Sequence, residues 1–504
     1  MKLNRRTFLK TSALGLAASA LSARSWAQVA GANSEIRVAV LGLNGRGKNH
    51  LTSLAKVPGV RVVAICDPDQ LVLDHTAAEL AKTGVAPAKF TDIRHLLAMD
   101  GLDAVTIATP NHWHSLAGIW ACAAGKDVYV EKPVSHNIWE GRQLVAAAKK
   151  YNRVVQAGTQ IRSGEGMQQA VAWVRAGNLG KITASRGFCY KRRDSIGQTD
   201  GPTPVPPNIN YDLWSGPAPV IPPHRNSKKN GPVHYDWHWI YAYGNGDVGN
   251  QGIHQMDVAR WFLGEPGLPR HSLSLGGRLG YVDDGETPNT QVVIHDYATA
   301  PLIFEVRGLP ARPDAAPAAA AAMNSAEAAT AAAGTMDKYR GVSIGNIVDC
   351  EGGSIVINSY FEARALDRTG RLIREFKGSD RHMANFIDVI RSRKTADLYG
   401  PIEEGHISSA LCHVGNISHQ IGRAAAPGPL QDAVKGDAPL AEAYGRMAEH
   451  LAVNGVKLDQ TPLTLGQPLA IDAKAERFTG AGASAANDLL TRDYRAPFIV
   501  PQLA

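Results

Sequence analysis

The chain has 504 residues, 44% of them apolar and 20% charged, which is ordinary for a soluble globular protein and enough for two or three domains. Its formal charge is +7, but Lys2, Arg5, Arg6, Lys10 and Arg24 stand in residues 1–27 without an acid, so the remainder carries +2. A charge so near zero gives no reason to expect nucleic acid or an anionic membrane surface as partner.

The first element is a targeting segment. Asn4-Arg5-Arg6-Thr7-Phe8-Leu9-Lys10 forms a twin-arginine pattern, Ala13 to Leu21 is mildly apolar, and Ser25-Trp26-Ala27 resembles a cleavage site. The expectation is a signal peptide over residues 1–27 and a periplasmic protein exported already folded. No membrane span is expected after cleavage, because no later apolar run reaches about 18 residues. The five cysteines are scattered, with neither Cys-x-x-Cys nor zinc-type spacing, so buried thiols and no metal are expected.

Strand and helix patterns then alternate. Strands are predicted at 36–41, 60–66, 89–90, 104–108, 128–130 and 154–157, with helices starting near 47, 70, 92, 114 and 138. This order argues an α/β fold, a Rossmann-type doubly wound parallel sheet over 35–158. From 159 to 425 the pattern predicts an α+β domain with an open, mainly antiparallel sheet. It has helices at 165–176 and 250–263, strands near 182–190, 290–296, 302–307 and 354–360, and a helical stretch at 382–424. Residues 197–233 are rich in Pro, Gly and Asn and read as loop. Residues 311–335 are an Ala-rich insertion, and 426–504 read as an extended tail wrapping the surface.

The chemistry sits at strand ends. Gly42-Leu43-Asn44-Gly45-Arg46-Gly47 joins the first strand to a helix. A pyrophosphate needs such a tight turn and a helix N-terminus with free N–H groups. The usual G-x-G-x-x-G has Asn44 at its second glycine, a mild change because Asn tolerates positive φ. Asp67, ending the second strand, can accept hydrogen bonds from the adenosine ribose and would repel a 2′-phosphate, favouring NAD over NADP. Thr109-Pro110-Asn111-His112 and Glu131-Lys132-Pro133 also end strands. Lys132 can hold a substrate hydroxyl, and Glu131 can orient it. Asn250, His254 and Asp257 repeat at i, i+4 and i+7, which puts them on one helix face, with His254 as a proton acceptor. Within the long loop, Tyr235 and Trp237, then His224, Arg225, His238 and Tyr243, are candidates to line a substrate pocket.

These motifs occur in the order of the Gfo/Idh/MocA (glucose–fructose oxidoreductase/inositol dehydrogenase) family, which the chain resembles over about 35–425. Tyr211-Asp212-Leu213-Trp214-Ser215-Gly216-Pro217, Gly249-Asn250-Gln251-Gly252-Ile253-His254-Gln255-Met256-Asp257 and Tyr494-Arg495-Ala496-Pro497-Phe498 are similar to the exported bacterial branch. The resemblance implies a two-domain NAD(P)-dependent oxidoreductase, often a homo-oligomer through its open sheet, with Lys132 and His254 flanking the nicotinamide. Many members carry Asp-x-x-x-His where this chain has Asn250, so proton chemistry shifts onto His254 and Lys132. The implied reaction is hydride transfer between a sugar or polyol hydroxyl and NAD. A periplasm without a nicotinamide pool requires the nucleotide to stay tightly bound. Two alternatives stand beside it. One is an NAD-dependent glycoside-cleaving enzyme working by transient oxidation and elimination. The other is a non-catalytic periplasmic sugar-binding module.

Overall fold

The computed structural model describes residues 35–313 and 334–504. The expected signal peptide and nearly all of the Ala-rich insertion lie outside the described residues.

The first layer is a six-stranded parallel sheet of β1 (Ile36–Leu41), β2 (Val60–Cys66), β3 (Ala88–Phe90), β4 (Ala104–Ile107), β5 (Asp127–Val130) and β6 (Val155–Ala157). Their spatial order is β3-β2-β1-β4-β5-β6. The crossovers carry α1 (Arg46–Leu54), α2 (Gln70–Ala81), α3 (Ile93–Leu97), α4 (Asn111–Ala123) and α5 (Ile138–Lys150). Every residue of β4 and β5 is buried, as is the carboxyl half of β1. That is why these strands read as apolar runs rather than alternations: both faces are covered. Asp69 and Asn137 cap α2 and α5 by accepting backbone N–H groups, so both helices start where the sequence offers a side-chain oxygen. The strand order reverses between β1 and β4, and a crevice opens at their carboxyl ends.

The second domain is built on a 12-stranded sheet. Its strands are β7 (Ile182–Tyr190), β8 (His271–Gly277), β9 (Thr290–Asp296), β10 (Leu302–Arg307), β11 (Ile344–Cys350), β12 (Gly353–Ile357), β13 (Ala363–Asp367), β14 (Leu372–Phe376), β15 (Arg423–Ala425), β16 (Leu463–Leu465), β17 (Leu469–Asp472) and β18 (Arg477–Thr479). All named pairs are antiparallel except β7 with β10. α6 (Glu165–Arg175), α7 (Tyr211–Ser215) and α8 (Ile253–Leu263) belong to this domain. The helical stretch expected at 382–424 is two helices, α9 (His382–Ser392) and α10 (Ile402–Gln420), followed by β15.

Three long-range placements differ from the sequence expectation. First, α9 packs on the first domain, where Phe386, Ile387, Val389 and Ile390 join Val38, Val40 and Tyr129. Second, residues 426–504 are not merely an extended tail. They form α11 (Pro427–Val434), α12 (Ala438–Val453), α13 (Ala483–Asp488) and three sheet strands. Leu430, Tyr444, Met447 and Leu451 cover Leu275, Val292, Ile294 and Ile303, because β8–β10 would otherwise leave that apolar face in water. Third, the last residues cross to the first domain, where Phe498 packs edge-on against Trp113 at 5.5 Å between ring centroids.

Among the described residues no helix is long and apolar enough to cross a membrane. The five cysteines are buried and free. Phe498 is 1% exposed, so Phe498→Ala is expected to lower unfolding free energy by about 3–5 kcal/mol, read by urea denaturation. A loss below about 1 kcal/mol would show that the C-terminal strap adds nothing to the core.

Candidate active site

A cleft of about 380 Å³ runs along the carboxyl ends of β1, β2, β4 and β5 and continues under the second domain. It is lined by Gly42, Asn44, Gly45, Arg46, Asp67, Thr109, Asn111, Glu131, Lys132, Tyr235, Trp237, Asn250 and His254, so most of the residues singled out in the sequence converge there.

The turn at 42–47 is built for close backbone approach. Gly42 has φ +80°, and a Cβ there would lie 2.6 Å from the Ala108 carbonyl oxygen. A Cβ on Gly47 would lie 1.9 Å from the Gly42 carbonyl oxygen. The first turn of α1 has no side-chain cap; Lys48 N–H donates to the Gly45 carbonyl at 3.1 Å, which leaves the N–H groups of Arg46 and Gly47 to meet an anion. Asp67 is 6% exposed, and its carboxylate accepts the Leu43 N–H at 2.8 Å and the Asp69 N–H at 3.0 Å. Burial nevertheless pushes its pKa up to about 6. Thr109 Oγ1 is buried beside the cleft without a partner. This glycine turn with its uncapped helix start, the carboxylate and the orphan hydroxyl fit a dinucleotide.

Glu131 is 4% exposed. Its Oε1 accepts from Arg46 Nε at 2.9 Å and Gln160 Nε2 at 2.9 Å, and lies 3.2 Å from His50 Nε2. Burial alone would raise its pKa, but His50, Arg46 and Lys132 outweigh it and hold the carboxyl well below the usual range. The next residue, Lys132, precedes a cis peptide bond to Pro133. Its Nζ donates to the Asn250 main-chain carbonyl at 2.5 Å. Burial lowers its pKa to about 8 although Glu131 opposes the shift.

The helix expected at 250–263 opens with a π-type turn over Val248–Gly252 before α8 begins. His254 is 5% exposed, its ring lies 5.2 Å from that of Tyr360, and its Nδ1 has no partner. Burial and then Lys132 push its pKa well down, leaving a neutral ring that can accept a proton. Trp237 stacks on His238 at 3.7 Å between centroids, and Tyr235 accepts from Arg193 Nη1 at 3.0 Å.

The expectations for Asp257, for His112 and for three of the loop residues need correction. Asp257 does not line the cleft. It is 1% exposed and its carboxylate accepts from Arg162 Nε at 2.8 Å and Ser408 Oγ at 2.6 Å, so it neutralises a buried guanidinium. His112 is fully buried behind the cleft, with Nε2 2.9 Å from the Trp214 carbonyl oxygen and Nδ1 3.3 Å from that of Tyr243. It ties the domains together rather than touching the cleft. Of the other loop candidates His238 lines the cleft, Arg225 and Tyr243 are buried beside Trp214, and His224 is exposed.

The structure adds Gln160, Lys191, Trp214, His234, Gln251 and Tyr360 to the lining. Gln251 and Trp214 carried a sequence signal, through their places in the Asn250–His254 and Tyr211–Pro217 motifs; the others carried none. The second domain also closes over the adenosine end of the cleft. Gln70 N–H donates to the Asn208 carbonyl at 2.9 Å and Asn210 N–H to that of Pro68 at 3.0 Å. Asn208 Nδ2 donates to Asp69 Oδ1 at 2.7 Å, and His234 Nε2 lies 2.8 Å from Asp69 Oδ2. Among the described residues no group of three or more His, Cys, Asp or Glu is placed to hold a metal ion.

A Rossmann sheet with a glycine turn, an acid at the end of β2 and a lysine at the end of β5 is the arrangement expected of a nicotinamide-nucleotide site. Residues 36–159 match the oxidoreductase family's NAD-binding Rossmann fold, and residues 146–272 match its C-terminal alpha/beta domain. Both matches are to models of the Gfo/Idh/MocA oxidoreductase family, and together they span residues 36–272. A Glycosyl hydrolase family 109 protein of Shewanella pealeana is 31% identical over 226 residues, covering 40% of this chain and 50% of that protein. Glycosyl hydrolase family 109 protein 2 of Shewanella sp. (strain ANA-3) is 31% identical over 201 residues, covering 36% and 44%. The chain thus spans about half the length of the curated relatives it matches. In fold it is similar to the WlbA dehydrogenase of Bordetella pertussis, solved with NADH and UDP-GlcNAcA (TM-score 0.52, 19% identity, covering 76% of this chain and 95% of that one). An oxidoreductase of Agrobacterium radiobacter, solved with NAD+, L-tartaric acid and magnesium, gives a TM-score of 0.50 at 16% identity, covering 75% and 94%.

Gly47→Ala has no room for its methyl group beside the Gly42 carbonyl. It is expected to weaken NAD binding at least about tenfold by calorimetric titration, roughly 1.4 kcal/mol. Unchanged affinity would remove the turn from the nucleotide site.

Proposed function

We propose that the protein oxidises a hydroxyl group of a sugar or glycoside with an NAD that stays bound. The observation that carries this reading is the convergence, in one cleft, of the glycine turn, Lys132 and the unpartnered His254 Nδ1. The turn at 42–47, Asp67, Thr109 and Asn111 would hold the nucleotide, which when bound supplies the acceptor for the hydrogen and electron pair of a carbinol C–H.

The chain's own residues handle the hydroxyl. Lys132 Nζ, fixed by the Asn250 carbonyl, is placed to bind the substrate oxygen and, with a pKa near 8, to pass its proton on. His254, neutral at ordinary pH, accepts a proton without first having to lose one. Trp237 and Tyr235 offer an aromatic wall and a hydroxyl to a sugar face. Asp67, buried where the adenosine ribose would lie, favours NAD over NADP because a phosphate there meets a carboxylate. The Asn208, Asn210 and His234 contacts support tight retention, since they hold the second domain against the first beside the adenosine end of the cleft.

A second reading is favoured by the relatives named as glycosyl hydrolases. In it the ketone formed by oxidation acidifies the neighbouring C–H. The aglycone leaves by elimination, water adds, and reduction restores the hydroxyl. Net change is hydrolysis with no NAD consumed. Both readings share the same first step and the same residues. A sugar-binding module with no catalysis would leave His254 and Lys132 without a task. Also proposed are export to the periplasm by the twin-arginine route and assembly as a homo-oligomer. For the latter, the half-exposed Leu372 and Ile373 on the β14 edge offer an apolar contact.

Denaturing the purified protein and analysing the supernatant by mass spectrometry is expected to release about one NAD(H) per chain. No nucleotide, together with no NAD or NADP binding by titration, would sink the oxidoreductase reading. Because Lys132 must give up a proton to accept one, kcat/KM for oxidation is expected to rise with pH up to about 8 and then level. A profile flat from pH 6 to pH 9 would exclude Lys132 from the proton path.

A further inference from the structure

We infer that the substrate sugar carries an anionic substituent, a carboxylate or a sulfate or phosphate ester, which pairs with Lys191. This rests on the reading that the cleft takes a sugar.

Lys191 follows the last residue of β7, and its backbone N–H donates to the Arg307 carbonyl at 3.0 Å, so the sheet fixes where its side chain starts. The side chain enters the cleft together with Lys132, Trp237, His238 and Gln251, on the second-domain side. Its ammonium reaches Gln251 Oε1 at 3.5 Å, the outer limit of a hydrogen bond. Gln251 is itself held by its amide nitrogen, which donates to Tyr360 Oη at 3.0 Å. Among the described residues no carboxylate lies within ion-pair distance of Lys191. The neighbouring cations are matched instead: Arg46 with Glu131, Arg192 with Asp194 and Arg193 with Asp247.

The acids near this end are therefore occupied. Glu131 is engaged by Arg46, Gln160 and His50, and Asp247 receives both Nε and Nη2 of Arg193. Lys191 is also close enough to Lys132 and His238 to oppose their protonation. Two ammonium groups at one end of a half-buried cleft repel each other, and Glu131 offsets this at Lys132 but forms no ion pair with Lys191. A substrate anion beside Lys191 relieves the repulsion and selects charged sugars over neutral ones, because a neutral sugar leaves the ammonium poorly paired. The nucleotide's own phosphates have their site at the glycine turn of the first domain, so Lys191 is left for the sugar.

The test uses the full chain with its nucleotide bound and matched pairs of p-nitrophenyl glycosides: glucuronide against glucoside, galacturonide against galactoside, and 6-sulfated against unsulfated N-acetylglucosaminide. Nicotinamide absorbance and nitrophenol release are both followed, and binding of the free sugars of each pair is titrated calorimetrically. The expected result is that one charged member is preferred by about tenfold or more in KM or Kd, the scale of one partly buried ion pair. That preference is lost in Lys191→Met while the nucleotide content stays unchanged, and the pair that responds tells carboxylate from sulfate. The inference is overturned if neutral members bind as well as charged ones, if Lys191→Met weakens both equally, or if it empties the nucleotide site. Lys191-dependent binding of a charged sugar without any absorbance change would leave this inference standing while defeating the redox reading.

Discussion

The Glu131 carboxylate holds the site together. A buried charge of this kind is tolerated only when donors surround it, and Arg46, His50 and Gln160 do so. Arg46 and His50 come from α1, Gln160 follows β6, and Glu131 ends β5. One carboxylate therefore binds the nucleotide turn to the strand that carries Lys132. It also keeps a negative charge one residue from a buried ammonium, which limits how far burial can lower the Lys132 pKa. Without it, turn and lysine would be independent features rather than two sides of one cleft.

The interlocking of the domains follows the same logic of matching buried polar groups. Ser409 Oγ accepts the Val134 N–H just past Lys132 at 3.0 Å, so α10 of the second domain supports the strand end from below. Asp257 and Glu404 share Arg162, and Glu404 also takes Arg260, which fixes α8 against α10. α8 in turn begins with the widened turn whose Asn250 carbonyl receives Lys132. Lys132 and His254 thus stand on a scaffold of helices and strands, which is what catalysis by positioning would require.

Much of the first domain was legible in the sequence. Its strands are buried on both faces, so apolar runs mark them. Their loops end in residues with specific backbone needs, so Gly42, Gly47, Asp67 and Lys132 could be placed at strand ends without coordinates. The second domain was less legible. β11 carries no clean alternation because five of its seven residues are buried, and β14 none because four of its five are exposed at the sheet edge. Asp257 illustrates the limit. Helical spacing placed it with His254, yet a buried guanidinium ninety-five positions away in sequence claims it.

The sequence by itself determined the order of strands and helices, the nucleotide turn and the lysine–histidine pair, because each depends on residues adjacent in the chain: a period, a positive φ, a cap. Only the tertiary structure decided which polar groups were already matched and which were left open. Pairing is a property of neighbours in space. Lys191 and Arg193 are two residues apart and both basic. Arg193 meets Asp247, while Lys191 meets only an amide oxygen at 3.5 Å. The fold makes the first a structural tie and leaves the second for a ligand.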